Sequence, residues 1–244
     1  FLLSSSNWLR VDRNALQRPE LLAGRRPRTI NMARIGDALL ADASPTFGPK
    51  IEALVVYNSN PVAVAPESAK VVRGFARDDL FVVVHDLFRT DTADHADYVL
   101  PATTQLEHRD VHGSYGHTSV LLNEPAIAPQ GEAKPNTQIF RELAARMGFA
   151  EPCFEDSDET LARAAIGAVV SYDALREHGW VQLPRKAAPF AQGGFQTPSG
   201  RCMIEAKGLG VPDFVAPHES AQSAPELARR YPLAMISPPP RNFL

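Results

Sequence analysis

Polar side chains follow two predicted strands of this chain, where a parallel sheet would present them to a ligand. Asn58, Ser59 and Asn60 follow the apolar run 51–57, and His85 and Asp86 follow the apolar run 80–84. In open α/β sheets, ligands bind beyond the carboxyl ends of the strands. A carboxylate there can accept hydrogen bonds from a guanine edge or from ribose hydroxyls, whereas amide side chains and turn N–H groups suit phosphates and heterocycles. The simpler interpretation of Asn58–Asn60 is a plain turn, because Asn, Ser and Pro are common turn formers.

Three histidines, His108, His112 and His117, raise the question of a metal site. Their spacing would place only the first pair on one face of a helix, and the stretch HRDVHGSYGHTS is rich in Gly and Ser and is not expected to be helical. No neighbouring cysteine completes a ligand set. We therefore interpret the three as hydrogen-bonding or solvated loop residues and predict no metal site.

Several function classes lack their sequence signals. The chain has no Gly-x-Ser-x-Gly elbow, no Gly-x-Gly-x-x-Gly fingerprint and no phosphate-binding P-loop. The net charge of −3 gives no basic footprint for nucleic acid, and no apolar run approaches a membrane span. Cys153 and Cys202 fit neither a disulfide framework nor a cluster motif, so we expect two buried or half-buried thiols.

The hydrophobic pattern predicts alternating strands and helices. Predicted strands cover residues 51–57, 80–84, 98–100, 119–123, 201–205 and 233–236. Predicted helices cover residues 29–41, 67–77, 137–147 and 156–170, and a shorter helix ends near Gly179. This alternation indicates an α/β fold built on a doubly wound, Rossmann-like, mostly parallel sheet with flanking helices.

One stretch, TDTADHADYVLPATTQLE at Thr90–Glu107, is more informative than any other. It predicts a polar loop, a short buried strand ended by Pro101, and a second loop of small side chains. Its small residues, its Ala-Asp and Leu-Pro steps and its final Glu resemble a signature of the prokaryotic molybdopterin oxidoreductases, the dimethyl-sulfoxide-reductase family. We predict that Asp97 and Glu107 are structural, because carboxylates there can pair loop N–H groups that would otherwise be buried without a partner.

The flanking sequence extends this resemblance. Segments 51–61, 80–86 and 131–149 resemble the family's strands, turn and helix around a pterin dinucleotide. The resemblance implies a helical lead-in at 1–50, an α/β domain that contacts the molybdopterin dinucleotide at 51–150, and a helical and linker remainder at 151–230. Residues 231–244 resemble the first strand of a carboxy-terminal dinucleotide-binding domain.

By position, the resemblance assigns cofactor contacts to a set of polar residues: Asn58, Ser59, Asn60, His85, Asp86, His108, Asn136, Ser237 and Arg241. His108 and Asn136 depart from the family pattern, in which some relatives have a lysine and an aspartate. Asn136 could equally cap the helix that follows it, and Arg241 could simply end a proline-rich strand. No residue is assigned a catalytic role.

The resemblance implies a bis-(molybdopterin guanine dinucleotide) cofactor with molybdenum or tungsten, and a 4Fe-4S cluster in an amino-terminal region that nothing here matches. We interpret the chain as a fragment from the carboxy-terminal half of a cytoplasmic oxidoreductase, inactive alone and retaining neither group.

The expected partners of this fragment are the remaining domains of the parent chain, a small-molecule substrate and electron-transfer subunits. Formate, nitrate and S- or N-oxides stay open as substrates, with a formate-dehydrogenase-like role favoured. The alternative is a stand-alone α/β nucleotide-binding or interaction module without redox activity.

Overall fold

The computed structural model describes residues 11–167, 169–184, 190–205, 208 and 213–236. Contacts divide the chain into two units, residues 1–185 and residues 186–244, and each unit is considered by itself. The domain limits expected at residues 50, 150 and 230 stay predictions.

The first unit contains a three-stranded parallel sheet, sheet A, with the strand order β1-β2-β3. Its strands are β1 (Ala53–Tyr57), β2 (Phe81–Asp86) and β3 (Tyr98–Pro101). All three lie close to predicted strands, but β2 continues through His85 and Asp86, because these residues pair with Leu100 and Pro101 of β3. His85 and Asp86 are therefore the last residues of the strand and not the start of the following loop.

The helices of the first unit are mostly short. The α-helices are α1 (Arg13–Gln17), α2 (Ile35–Leu40), α3 (Pro61–Val64), α4 (Ser68–Phe75), α5 (Asn136–Arg146), α6 (Asp158–Ile166) and α7 (Tyr172–His178). Single 3₁₀ turns form at Pro19–Leu22, Met32–Arg34, Ala93–His95 and Pro152–Glu155. Helix α1 lies outside the helices predicted from the hydrophobic pattern, and it forms because the Asp12 carboxylate accepts hydrogen bonds from the N–H groups of Asn14 and Ala15.

One face of sheet A packs against α2 and α4. Leu39 of α2 and Val71 and Phe75 of α4 meet Val82 and Val84 of β2, and all five side chains are almost fully buried. This layer of helices on a parallel sheet confirms the predicted α/β fold class.

Helices α2 and α4 approach each other closely because each carries a glycine at the contact. A Cβ atom added at Gly74 would lie 2.6 Å from the Cβ of Leu39, and one added at Gly36 would lie 2.9 Å from the Cβ of Lys70. The contact therefore has no room for a side chain at either position.

The opposite face of sheet A is apolar and partly open. Val55, Phe81 and Tyr98 on this face are 48%, 48% and 62% exposed. Helix α5 lies beside the face, where the ring of Phe140 contacts the ring of Tyr57 with a centroid distance of 5.0 Å. A cavity of about 670 Å³ remains between the sheet and the helix.

Arg77 joins chain segments at the amino-terminal edge of sheet A through hydrogen bonds and an ion pair. Its side chain is 11% exposed, and its guanidinium donates to the carbonyl oxygens of Leu39 and Ile51 and pairs with the carboxylate of Asp79. Lys50 also contacts Asp79, at 2.7 Å. Hydrogen bonds from Arg77 and then Lys50 hold the pKa of Asp79 well below its usual range.

An antiparallel sheet, sheet B, adds to the predicted fold. Strand β5 (Ser119–Asn123) matches a predicted strand, but it pairs with β4 (Asp110–His112) and β6 (Trp180–Gln182), which the sequence did not indicate. A second core forms where sheet B meets α6 and α7, from Val120, Ile166, Leu175 and Leu183 among others.

The helices next to sheet B have defined ends, and the end predicted near Gly179 is confirmed. The Ser157 hydroxyl accepts a hydrogen bond from the N–H of Thr160 at 3.1 Å and so caps α6. Helix α7 stops at Gly179, whose φ of 77° is in the left-handed region that favours glycine.

In the second unit, helix α8 (Pro225–Arg230) forms in the described residues. The strands predicted at 201–205 and 233–236 do not form. A strand must pair its N–H and C=O groups with a neighbour, and no described segment pairs with either stretch. Leu233, Met235 and Ile236 are accordingly almost fully exposed.

Both cysteines are free thiols, and Cys153 is half-buried as expected. Cys202 is exposed, because the residues around it form an exposed loop, so its predicted burial was wrong. Within the described part of the chain, no helix combines the length and the apolar character that crossing a membrane requires.

Candidate functional site

The carboxyl ends of the three strands of sheet A meet at one edge, and the loops that leave them form the candidate site. The N–H of Asn58, just after β1, donates to the carbonyl oxygen of His85 at 3.2 Å. The N–H of Ala102, just after β3, donates to the carbonyl oxygen of Asp86 at 3.0 Å. The loops after all three strands therefore start side by side.

Asn58 and Ser59 form the polar turn after β1 at this edge. Both are exposed. Asn58 has a φ of 51°, in the left-handed region that asparagine adopts more readily than most residues. The turn therefore directs polar groups outward, where a ligand could contact them.

Asn60 is engaged within the protein. Its side-chain oxygen accepts hydrogen bonds from the N–H and the hydroxyl of Thr92, at 3.2 and 2.7 Å, and its NH₂ group donates to Asp91 at 3.2 Å. The hydroxyl oxygen of Thr92, a fully buried residue, accepts a hydrogen bond from the N–H of Val62 at 3.1 Å. Asn60 thus joins the turn after β1 to the loop after β2, a positioning role that sequence reasoning missed.

His85 faces the open side of sheet A. It is only 1% exposed, and its Nδ1 lies 3.0 Å from the carbonyl oxygen of Leu100. Because a carbonyl only accepts, Nδ1 carries the proton and Nε2 is an acceptor in the neutral ring. Nε2 is buried and has no hydrogen-bond partner among the residues that the structure describes.

Asp86 ends β2 at the carboxyl edge. Its carboxylate is half-buried, and one oxygen accepts a hydrogen bond from the N–H of Phe88 at 3.3 Å. No described residue hydrogen-bonds to the second oxygen. The carboxylate can therefore brace its own loop and still accept hydrogen bonds from a ligand.

His108 and Asn136 lie on the segments that follow β3. Nδ1 of His108 is 2.9 Å from the hydroxyl of Thr103, a buried residue two positions beyond the end of β3. Asn136 is the first residue of α5, and the cap position belongs to Pro135, so Asn136 is not the helix cap. Asn136 lines a cavity together with Tyr57, the last residue of β1.

Ser237 and Arg241 lie outside the described residues. His112 belongs to β4, and the Nδ1 of His117 accepts a hydrogen bond from the N–H of Ser119 at 3.1 Å. In the described ranges, no three His, Cys, Asp or Glu side chains are grouped to hold a metal ion.

Asp97 acts on the backbone of β2. Its carboxylate accepts a hydrogen bond from the N–H of Val82 at 2.7 Å, and its own N–H donates to the carbonyl oxygen of Val82 at 2.9 Å. The role is structural, as predicted, although the donor belongs to a strand and not to a loop.

Glu107 joins two loops beyond β3. It is 6% exposed, and its two oxygens accept hydrogen bonds from the N–H groups of Thr104 and Gln130, each at 2.7 Å. These hydrogen bonds, the one from Thr104 first, lower the pKa of Glu107. The predicted structural role of Glu107 is confirmed.

We expect Glu107→Gln to lower the melting temperature at neutral pH, because the amide has one acceptor oxygen where the carboxylate has two, so one of the two N–H groups loses its acceptor and faces the NH₂ group. Since the pKa is lowered in the folded state, the stabilisation is complete above the unfolded pKa of about 4.5. It is lost as the pH falls through the lower folded pKa, so the difference between variant and parent should shrink in acid. Thermal melts at a series of pH values measure this, with the exposed Glu151→Gln as control. A difference that does not change with pH would contradict this account.

Comparison with known proteins identifies the relatives of this chain. A family profile described as "Molybdopterin oxidoreductase" matches residues 38–146, which include all of sheet A and α5. A probable oxidoreductase of Bacillus subtilis, YoaE, is 40% identical over 98% of this chain and 35% of its own length. The dimethyl sulfoxide/trimethylamine N-oxide reductase of Rhodobacter capsulatus is 30% identical over 75% of this chain and 23% of its own length.

The fold has a counterpart among solved structures. Acetylene hydratase from Pelobacter acetylenicus superposes with a TM-score of 0.65 and 28% sequence identity, over 84% of this chain and 29% of that one. The chain thus spans about a third or less of the length of these relatives. The profile, the relatives and the shared fold show that the chain belongs to the molybdopterin oxidoreductase family.

Proposed function

We propose that this chain is part of a longer molybdopterin-dependent oxidoreductase and supplies part of the site for a molybdopterin guanine dinucleotide. Family membership supports a molybdopterin cofactor with molybdenum or tungsten. The guanine dinucleotide form and the presence of two pterins are our proposal. The observation that carries it is the carboxylate of Asp86 at the carboxyl edge of sheet A, with an oxygen available to a ligand.

The groups at this edge fit such a cofactor. A carboxylate offers acceptors to the adjacent N–H donors of guanine or to a ribose diol, and the exposed turn at Asn58 and Ser59 offers N–H and amide donors to phosphate or pterin atoms. When bound, the molybdopterin centre would supply the redox chemistry, and this chain would supply binding and orientation.

The structure supports a division of roles among the proposed contacts. Asp86, Asn58 and Ser59 would contact the dinucleotide directly, and His108, held by Thr103, would lie at the neighbouring loop. Asn60 would act through the loops that it holds, since its amide oxygen and NH₂ group both have partners within the protein. His85 is buried on the sheet face, so we propose that it orients the edge and does not contact the cofactor.

Other parts of the enzyme would lie outside residues 1–244. We propose that these parts hold a 4Fe-4S cluster, the protein ligand to the metal, the substrate-binding groups and any contact with electron-transfer subunits, in a cytoplasmic protein. The relatives' names include S- and N-oxides, nitrate and acetylene, so the substrate stays open, and the formate-dehydrogenase-like role stays a prediction. No observation favours the alternative of a stand-alone module without redox activity.

Asp86→Asn in the full-length enzyme is expected to reduce cofactor retention and leave the fold intact. The substitution keeps the shape but replaces an acceptor with a donor, so like groups would face each other at a cost of about 1–3 kcal/mol. Molybdenum and released guanine nucleotide per mole of purified protein measure the loss, and circular dichroism checks the fold.

The matched control for Asp86→Asn is Asp78→Asn, an exposed aspartate just before β2, at the opposite edge of sheet A. Asp78→Asn should retain the cofactor. Full cofactor content in folded Asp86→Asn would remove Asp86 from the site and leave it as a brace for the loop 87–92.

A further inference from the structure

The open face of sheet A lacks the cover that parallel sheets have. Sheets made only of parallel strands occur almost always with both faces buried. Here α2 and α4 cover one face, whereas Val55, Phe81 and Tyr98 on the other are about half exposed. Such a contiguous apolar surface marks an interface.

His85 adds a specific requirement to this face. It lines the cavity between sheet A and α5, and its buried Nε2 atom is an acceptor without a donor among the described residues. Buried acceptors are almost always paired, because an unpaired one loses its hydrogen bonds to water. Whatever covers the face should therefore bring an N–H or O–H group to Nε2.

The charges around the cavity point to an apolar, neutral occupant. Lys134 contacts both carboxylate oxygens of Glu142 at 2.8 Å, and Arg146 lies 3.4 Å from the same carboxylate. These cations are already paired, so they offer little attraction to a phosphate or to a charged ligand. The lining also includes Glu132, so two cations and two carboxylates balance, and apart from His85 the rest is aliphatic and aromatic.

We propose that the open face of sheet A is an intramolecular interface, covered in the full-length protein by polypeptide from outside residues 1–244 that also donates a hydrogen bond to His85 Nε2. This inference rests on the proposed longer oxidoreductase. The relatives are about three times as long as this chain, so a protein of that length would have enough further polypeptide to cover the face. Strand β1 is also an edge strand, which leaves its outer N–H and C=O groups open to a further strand of the same polypeptide.

Hydroxyl-radical footprinting of the purified full-length protein tests the proposal. The oxidation rates of Phe81 and Tyr98 are measured by mass spectrometry and divided by their rates in the denatured protein. We expect both to be protected to the level of Tyr172, which is 3% exposed in this chain. Rates close to the denatured values would overturn the proposal. Protection that appears only as protein concentration rises would also overturn it, and would assign the face to a second copy.

A pair of substitutions gives a second test in the same protein. Tyr98→Lys places a charge on the open face, where the ring is 62% exposed in this chain, and Tyr115→Lys is the matched control on a 72% exposed residue beyond β4. We expect Tyr98→Lys, and not Tyr115→Lys, to increase cleavage of the full-length protein in limited proteolysis. Equal cleavage of the two variants would count against the interface.

Cofactor content separates this proposal from the proposed function. Molybdenum and guanine nucleotide are quantified in the footprinted sample. Exposed Phe81 and Tyr98 in a cofactor-loaded protein would refute the interface alone, whereas protection in a protein that cannot bind the cofactor would refute the function alone.

Discussion

Gly74→Ala is expected to lower the free energy of unfolding by about 2–3 kcal/mol, as overpacking of a tight contact does. The added methyl would lie 2.6 Å from the Cβ of Leu39, an atom fixed to the backbone of α2, so the two helices would have to separate. Alanine favours a helix by about 1 kcal/mol over glycine, which offsets only part of this cost. Chemical denaturation of the chain measures the change.

Two further variants test whether the close contact between α2 and α4 causes the effect of Gly74→Ala. Arg73→Ala changes an exposed residue of the same helix and should leave stability nearly unchanged. Gly36→Ala, across the same contact, should also destabilise, because its methyl would lie 2.9 Å from the Cβ of Lys70. If Gly74→Ala were as stable as the parent, α2 and α4 could not be packed as closely as described.

Asp97→Ala is expected to lower the free energy of unfolding by about 1–3 kcal/mol, because it leaves the N–H of Val82 without its acceptor. Val82 is fully buried in β2, so water cannot easily replace the lost carboxylate. Asp97→Asn keeps a side-chain oxygen and should recover part of the loss. Thermal melting and chemical denaturation measure both variants.

Asp94→Ala is the control for Asp97→Ala. Asp94 pairs with Arg89 on the surface, where both side chains are more than half exposed, and such pairs contribute little. An Asp97→Ala protein that melts like the parent, yet loses cofactor in the full-length enzyme, would show that Asp97 belongs to the binding site.

The parallel part of the fold could be predicted because its signals are local. The unbroken apolar runs that became β1 and β2 and the helical stripe of Val71 and Phe75 depend only on neighbouring residues. Sheet B could not be predicted in this way. Strands β4 and β6 have three residues each, too few for an alternating pattern to show, and β6 also lies far from its partner β5 in sequence.

The candidate site shows a similar limit. Sequence reasoning placed the polar groups of Asn58–Asn60, His85 and Asp86 at one edge of a sheet, as the structure has them, and it identified the structural carboxylates Asp97 and Glu107. It could not separate groups that face outward from groups used within the protein, because Asn60 is engaged by Thr92, which lies 32 positions away. The only sequence signal for this engagement was the run of small residues around Thr92 and Ala93. Both side chains are buried, which accounts for their small size.

The position of Arg77 affects which substitutions this protein can accept during evolution. Its guanidinium hydrogen-bonds to chain segments just before β1 and β2, so these contacts join the two strands at the amino-terminal edge of the sheet. The exposed groups of Asn58 and Ser59 and the half-buried carboxylate of Asp86 lie at the other end of the same strands. Because the hydrogen bonds of Arg77 and the proposed cofactor contacts are a strand's length apart, substitutions at the proposed contacts would leave the hydrogen bonds of Arg77 in place. The sheet can thus keep its stability while the loops at its carboxyl edge diversify.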